Sequence, residues 1–157
     1  MKIVCLGGGP SGLYLAISMK LRNPAHDITV YERNRPGDTF GWGVVFSDET
    51  MENLKKNDPV SAQIMIDELV HWDMIDCHVN GEVERSDGHG FIGIGRKRML
   101  QILHGRASIL ALSTLNLSPA VFVKLVSTVK SMPGTSLMRI FAPLIPTALF
   151  FPVARSR

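Results

Sequence analysis

The chain has 157 residues, a formal net charge of +3 and 45% apolar residues, which fits one domain that can bury a core. Its two cysteines, Cys5 and Cys77, lie far apart, which excludes a dense disulfide framework and favours a reducing compartment. No basic, apolar leader precedes the first strand, so we expect no secretory signal and a cytoplasmic location.

The charge is divided unevenly along the chain. Residues 1–87 carry all 14 acidic residues with 8 basic ones, whereas residues 88–157 carry 9 basic residues and no acidic one. A basic segment can bind nucleic acid or an anionic membrane surface. These basic residues are scattered rather than clustered, so we expect no nucleic-acid partner.

The first elements have the pattern of a nucleotide-binding βαβ unit. Apolar residues predict a buried parallel strand over 2–6, a helix over 11–22 and a second strand over 28–32. A glycine-rich run with the spacing G-x-G-x-x-G lies between the first strand and the helix, and its members are Gly7, Gly9, Pro10, Ser11 and Gly12.

Each glycine of this run has a physical role beside a dinucleotide. Gly7 permits the tight turn, Gly9 lets the backbone approach a pyrophosphate, and Gly12 lets helix and strand pack closely. The helix directs its first N–H groups and the positive end of its dipole at the phosphates. Glu32 lies 20 residues after Gly12, where a carboxylate can accept both ribose hydroxyls and would repel a 2′-phosphate. The sequence therefore predicts FAD or NAD, and not NADP.

A helical insert is predicted next. Residues 33–38 form a turn-rich loop, residues 39–46 are extended or looped, and Ser47 is expected to cap a helix over 48–56. An Asp-Pro pair then predicts a second helix over 59–70.

A hairpin and a strand–helix pair follow the insert. Residues 75–79 alternate like a half-buried strand, an Asn-Gly turn follows, and residues 82–85 return. Residues 91–94 predict another strand, after which Arg96 opens a helix. We predict no metal site and no catalytic residue, because no triad order is visible and these histidines lack metal-ligand spacing: His71, His78, His89 and His104.

Three segments carry a specific family resemblance: GGGPSGLY at 7–14, YERNRPGDTFGWGVVFSD at 31–48 and HGFIGIGRKRML at 89–100. They are similar to the N-terminal part of class A flavoprotein aromatic hydroxylases, and within that family to the salicylyl-CoA 5-hydroxylase type. The resemblance covers residues 1–106 and implies an α/β fold, namely the N-terminal part of a Rossmann-type FAD-binding domain.

The resemblance also implies a cofactor and a reaction. FAD would be reduced by NAD(P)H, and oxygen would hydroxylate an aromatic acid held as an acyl-CoA thioester. Arg33 would flank the adenine, Arg96 would contact FAD from a second side, and residues 41–48 would lie on the flavin side. The cofactor-binding residues implied in this way are Gly7, Gly9, Pro10, Ser11, Gly12, Glu32, Arg33 and Arg96.

The roles of single residues and of the whole chain also have simpler interpretations. Arg96 is also consistent with a solvated arginine at a helix start, and Trp42 is expected to pack in the core rather than to contact flavin. The chain as a whole is also consistent with a non-catalytic dinucleotide-binding remnant or with part of an NAD-dependent oxidoreductase. The sequence does not predict an oligomeric state.

The resemblance stops near Arg106. The family's later Asp-Gly and Gly-Asp pairs are missing, because no aspartate follows Asp87. We therefore expect residues 107–157 to be a non-homologous tail of uncertain structure, and the chain to be inactive alone. A membrane span is disfavoured, because the uncharged stretches 107–123 and 140–153 contain prolines and fall short of about 20 residues.

A change of reading frame near Arg106 would explain this tail. If residues 107–113 are encoded by GCG, AGC, AUU, UUG, GCG, UUG and AGC, a frame one nucleotide earlier, after a U, encodes Cys-Glu-His-Phe-Gly-Val-Glu. That heptapeptide resembles what the family places after its arginine-initiated helix. The nucleotide sequence across codons 104–160 tests this hypothesis.

Overall fold

A computed structural model describes residues 1–88 and 90–131 of the chain. In chain order the elements are β1 (Lys2–Leu6), α1 (Pro10–Arg22), β2 (Asp27–Glu32), β3 (Gly43–Phe46), α2 (Asp48–Asn57), α3 (Pro59–Ile66), β4 (Val70–Trp72), β5 (Ile75–Val79), β6 (Glu82–Ser86), β7 (Phe91–Gly95), α4 (Arg96–Ile109), β8 (Ser113–Asn116) and α5 (Pro119–Ser131). The predicted α/β class is confirmed, with its βαβ start, helical insert and hairpin.

A parallel sheet of β1, β2 and β8 supports the site, with β2 in the middle. Its face against α1 is buried, because Ile28 and Val30 point into the core there, and α4 packs in turn against α1. The other face carries Val4, which is 53% exposed, and Leu115. Parallel sheets are usually covered on both faces. The described residues therefore leave one face of this sheet open.

A second sheet is antiparallel and places β7 between β3 and β4. The predicted helix over 59–70 is wrong in its last turn, since α3 ends at Ile66 and Val70 begins a strand. The physical reason is cross-strand pairing: Trp72 lies opposite Phe91, and their ring centroids are 5.9 Å apart in a stacked arrangement.

The hairpin of β5 and β6 is confirmed, and its turn residues Asn80 and Gly81 both have positive φ, as this turn type requires. The expectation of a half-buried strand is wrong, because all residues of the hairpin except Ile75 are exposed. One face pairs apolar with acidic residues, as where Val79 lies opposite Glu82, and the other face carries the charged pair of Asp76 and Arg85, so neither face favours burial.

The helical insert packs through one buried ion pair. Ser47 caps α2 as predicted, because its hydroxyl accepts the N–H of Thr50. The carboxylate of Asp58 is fully buried, with Nη2 of Arg106 at 3.1 Å and the Ser61 hydroxyl donating at 2.6 Å. A buried carboxylate needs such partners, so this pair ties α4 to the start of α3.

The fold continues through the predicted boundary at residue 106. Helix α4 runs to Ile109, and a Schellman motif ends it, in which Leu112 N–H donates to the Ala107 carbonyl at 2.9 Å and Ala111 N–H to the Ser108 carbonyl at 3.0 Å. The boundary itself stays a prediction.

Two elements, β8 and α5, then follow within the segment predicted as a tail. No helix in the described part of the chain is long and apolar enough to cross a bilayer. The stretch 140–153 lies outside the described residues.

Candidate dinucleotide-binding site

The glycine run turns the chain tightly at the end of β1. Gly7 has φ of +114°, and its N–H donates to the Tyr31 carbonyl at 2.8 Å, which joins the turn to β2. A Cβ on Gly12 would lie 2.0 Å from the Gly7 carbonyl oxygen, so only glycine fits there. Nothing lies within 4 Å of the Cβ position of Gly9, so that side of the turn is open. This geometry suits the predicted roles of the three glycines at a pyrophosphate.

The N-terminus of α1 lies at this open side. Gly9 is its N-cap and Pro10 its first residue, no side chain caps the helix, and its first turn holds no acidic residue. Ser11 is exposed. The first N–H groups of the helix are thus left for an anionic ligand, which the helix dipole also favours.

Three N–H donors hold the Glu32 carboxylate beside this turn. Oε2 accepts the Gly8 N–H at 2.6 Å, and Oε1 accepts the backbone and side-chain N–H groups of Asn34, each at 2.8 Å. The structure therefore brings the glycine run and Glu32 together. A carboxylate has about four acceptor positions, so one remains free for a ribose hydroxyl. Accepting both hydroxyls, as predicted, requires one existing bond to be shared or given up.

Sequence reasoning missed the residues that support Glu32. Asn34 and Gly8 supply its donors, and Asn116 of β8 in turn donates its side-chain amide to the Asn34 carbonyl. Leu117 N–H donates to the Glu32 carbonyl at 2.8 Å. An asparagine two residues after a strand is a turn signal that the sequence offered. The support from residues 116 and 117 comes from the predicted tail.

The two predicted arginines differ in environment. Arg33 is exposed directly after β2. Arg96 begins α4, its N–H donates to the Trp42 carbonyl at 3.1 Å, and its Nε is buried without a hydrogen-bond partner among the described residues. Arg96 as a whole is half-buried, so the contact with a ligand and the solvated arginine both stay open as interpretations. A buried guanidinium N–H can donate to an acceptor that a ligand supplies.

The expectation that Trp42 packs in the core is wrong, because its side chain is 85% exposed. The reason is its position in the turn before β3, where its carbonyl accepts the Arg96 N–H and its side chain is exposed to solvent.

The histidines and cysteines of the described residues do not cluster. No group of three or more metal-ligand side chains occurs in residues 1–88 and 90–131. His71, His78 and His104 are exposed, whereas His89 lies outside the described residues. Burial raises the pKa of the Cys5 thiol above its ordinary value, which lowers its reactivity.

Comparison with known proteins finds relatives over about two thirds of the chain. It is 45% identical over 107 residues to salicyloyl-CoA 5-hydroxylase of a Streptomyces species, a match over 68% of this chain and 21% of that protein. It is 27% identical over 108 residues to 3-hydroxy-4-methyl-anthranilyl-[aryl-carrier protein] 5-monooxygenase of Streptosporangium sibiricum, over 69% of this chain and 31% of that protein. The chain thus spans about a fifth to a third of the length of these relatives. No protein-family model matches it.

Solved structures show the same fold. The chain matches 2-methyl-3-hydroxypyridine-5-carboxylic acid oxygenase with a TM-score of 0.64 and 17% identity, over 73% of this chain and 31% of that one. It matches p-nitrophenol 4-monooxygenase from Pseudomonas putida with a TM-score of 0.61 and 16% identity, over 73% and 31% of the two chains. The resemblance of this chain to flavoprotein aromatic monooxygenases of the salicyloyl-CoA 5-hydroxylase type is thereby confirmed.

Proposed function

We propose that this chain binds FAD through the adenosine and pyrophosphate half of the cofactor, in an NAD(P)H-using monooxygenase for a CoA-activated aromatic acid. The observation that carries the proposal is the 45% identity to salicyloyl-CoA 5-hydroxylase over 107 residues, in a chain whose glycine turn and Glu32 lie side by side. FAD, when bound, supplies the transfer of electrons from the nicotinamide to oxygen.

The protein groups then have separate tasks. The N–H groups at the start of α1 donate to the pyrophosphate, and Glu32 accepts a ribose hydroxyl through its remaining acceptor position. Arg33 would flank the adenine, and Arg96 would donate to an anionic oxygen of the cofactor. The open side of Gly9 leaves room for the phosphates. Arg96 Nε is buried without a partner among the described residues and needs an acceptor, so both observations fit this cofactor.

We further propose that residues 1–157 alone do not hydroxylate. No acidic residue follows Asp87, and one face of the parallel sheet, with Val4 and Leu115, is open within the described residues. The expected result with purified chain is no oxidation of NADH that depends on salicyloyl-CoA. Such substrate-dependent oxidation would contradict this part of the proposal.

The spectrum and FAD titration of the purified chain test cofactor binding. We expect a flavin spectrum, or quenching of flavin fluorescence on adding FAD, and weaker binding by Glu32→Gln than by Glu49→Gln, an exposed control on α2. The loss should be about tenfold or more, because a hydrogen bond to a charged group contributes about 1.5–3 kcal/mol. If the chain binds NAD but not FAD, the result favours an NAD-dependent oxidoreductase. If it binds neither, the result favours a remnant without cofactor.

A further inference from the structure

Residues 39–42, which we call the 39–42 turn, have a burial pattern opposite to the one that their residue types predict. Phe40 and Trp42 are 71% and 85% exposed, while the hydroxyl of Thr39 is buried. Large aromatic side chains usually bury most of their surface, and buried hydroxyls usually have hydrogen-bond partners. Packing among the described residues therefore does not account for this turn.

Two buried polar atoms in this region have no hydrogen-bond partner among the described residues, namely Thr39 Oγ1 and Arg96 Nε. The hydroxyls of Tyr14 and Ser18 are also buried without a hydrogen bond of ordinary geometry. These two residues lie one turn apart on α1, however, and their hydroxyls interact with each other. An unpaired buried donor costs about 1–3 kcal/mol. Thr39 and Arg96 thus need a partner from outside the described residues.

The backbone holds Arg96 against the 39–42 turn. Its N–H donates to the Trp42 carbonyl at 3.1 Å, and its Cδ lies 3.8 Å from the position of a Cβ on Gly41. Gly41 has φ of +92°, a conformation that favours glycine. The turn that contains Thr39 is therefore fixed to the start of α4.

We propose that the Thr39 hydroxyl joins the Arg96 guanidinium in binding the phosphate oxygens of the dinucleotide. This inference rests on the proposed function and adds a binding residue to it. A guanidinium and a hydroxyl both donate hydrogen bonds, so one anionic group with several acceptor oxygens satisfies both. An apolar ligand would leave both atoms unpaired.

The test compares Thr39→Val with Thr39→Ser in the full chain, by titration calorimetry with FAD and with ADP. Valine keeps the branched shape and removes the donor, so we expect about tenfold weaker binding of both ligands, whereas serine stays within about threefold. Thr29→Val, at a half-buried position in β2, controls for loss of a threonine hydroxyl elsewhere.

Thermal unfolding without ligand separates a binding role from a structural one. Because Thr39→Val removes an unpaired buried hydroxyl, the unliganded variant should unfold at the same or a higher temperature, while the shift that ADP produces becomes smaller. Arg96→Gln should weaken both ligands tenfold or more. Arg98→Gln, whose side chain pairs with Glu68 at the surface, should not.

The two failures are distinguishable. If the unaltered chain binds FAD and ADP, and Thr39→Val binds them equally well or lowers the unfolding temperature of the unliganded chain, this inference is overturned and the proposed function stands. If the unaltered chain binds neither ligand, the proposed function is overturned and the inference with it.

Discussion

The end of α4 offers a single substitution that should stabilise the chain. Ala111 has φ of +54°, a left-handed conformation in which the Cβ of an L residue costs about 1–2 kcal/mol. It is the residue after the C-cap in a Schellman motif, a position where glycine is usual. Glycine removes this crowding but adds freedom to the unfolded chain, so we expect Ala111→Gly to raise the free energy of unfolding by about 1 kcal/mol.

Thermal and urea unfolding, followed by far-UV circular dichroism, measure this change. A gain of about 1 kcal/mol corresponds to an increase of about 2–4 °C in Tm for a domain of this size. Ala25→Gly is the matched control, because Ala25 is exposed in a turn and its φ is not positive. Glycine should give no gain there. If Ala111→Gly destabilises the chain as much as the control does, the left-handed end of α4 is not the strained position argued here.

Two substitutions and one labelling experiment test the site and the core. Gly12→Ala should abolish ADP binding in a titration, because its Cβ would lie 2.0 Å from a carbonyl oxygen. Arg106→Met should lower the free energy of unfolding by about 3–5 kcal/mol in urea, because it leaves the carboxylate of Asp58 buried without its cation; a loss below about 1 kcal/mol would show that the carboxylate finds another partner. Cys77 should react with a thiol reagent in the folded chain while Cys5 does not, because burial raises the pKa of the Cys5 thiol; equal rates would contradict its burial.

The first half of the site follows from local sequence. A buried strand, a glycine turn and a helix lie next to one another in the chain, so residue spacing alone places Gly7, Gly9 and Gly12. Glu32 could be assigned because parallel strands joined by one helix end at the same edge of a sheet. These are short-range relations, which a single sequence carries well.

The rest depends on contacts between distant residues. Strand β8 has the sequence Ser-Thr-Leu-Asn, without the apolar run of a buried strand, and its place beside β2 is set by pairing across more than 80 residues. Asn116 supports Asn34 only through this pairing. The burial of the Thr39 hydroxyl and the exposure of Trp42 likewise invert what residue type predicts, and single-sequence patterns do not contain such inversions.

The backbone of residues 107–113 also bears on the reading frame. The heptapeptide encoded one nucleotide earlier puts glycine at position 111, where φ is positive, and apolar cysteine and valine at the buried positions 107 and 112. It puts glutamate and histidine at positions 108 and 109, which are exposed, whereas Ile109 is a 74% exposed apolar side chain. The alternative residues thus suit this backbone better than the present ones.

We therefore expect the gene to carry, one nucleotide out of frame after codon 106, an open frame that encodes this heptapeptide and continues with acidic residues. Sequencing across codons 104–160 checks this. The expected frame places the missing aspartates downstream of the site that Gly7, Gly9, Gly12 and Glu32 begin. Stop codons in that frame within a few codons of 113 would contradict the argument, and the exposed Ile109 and the strained Ala111 would then belong to the chain as it evolved.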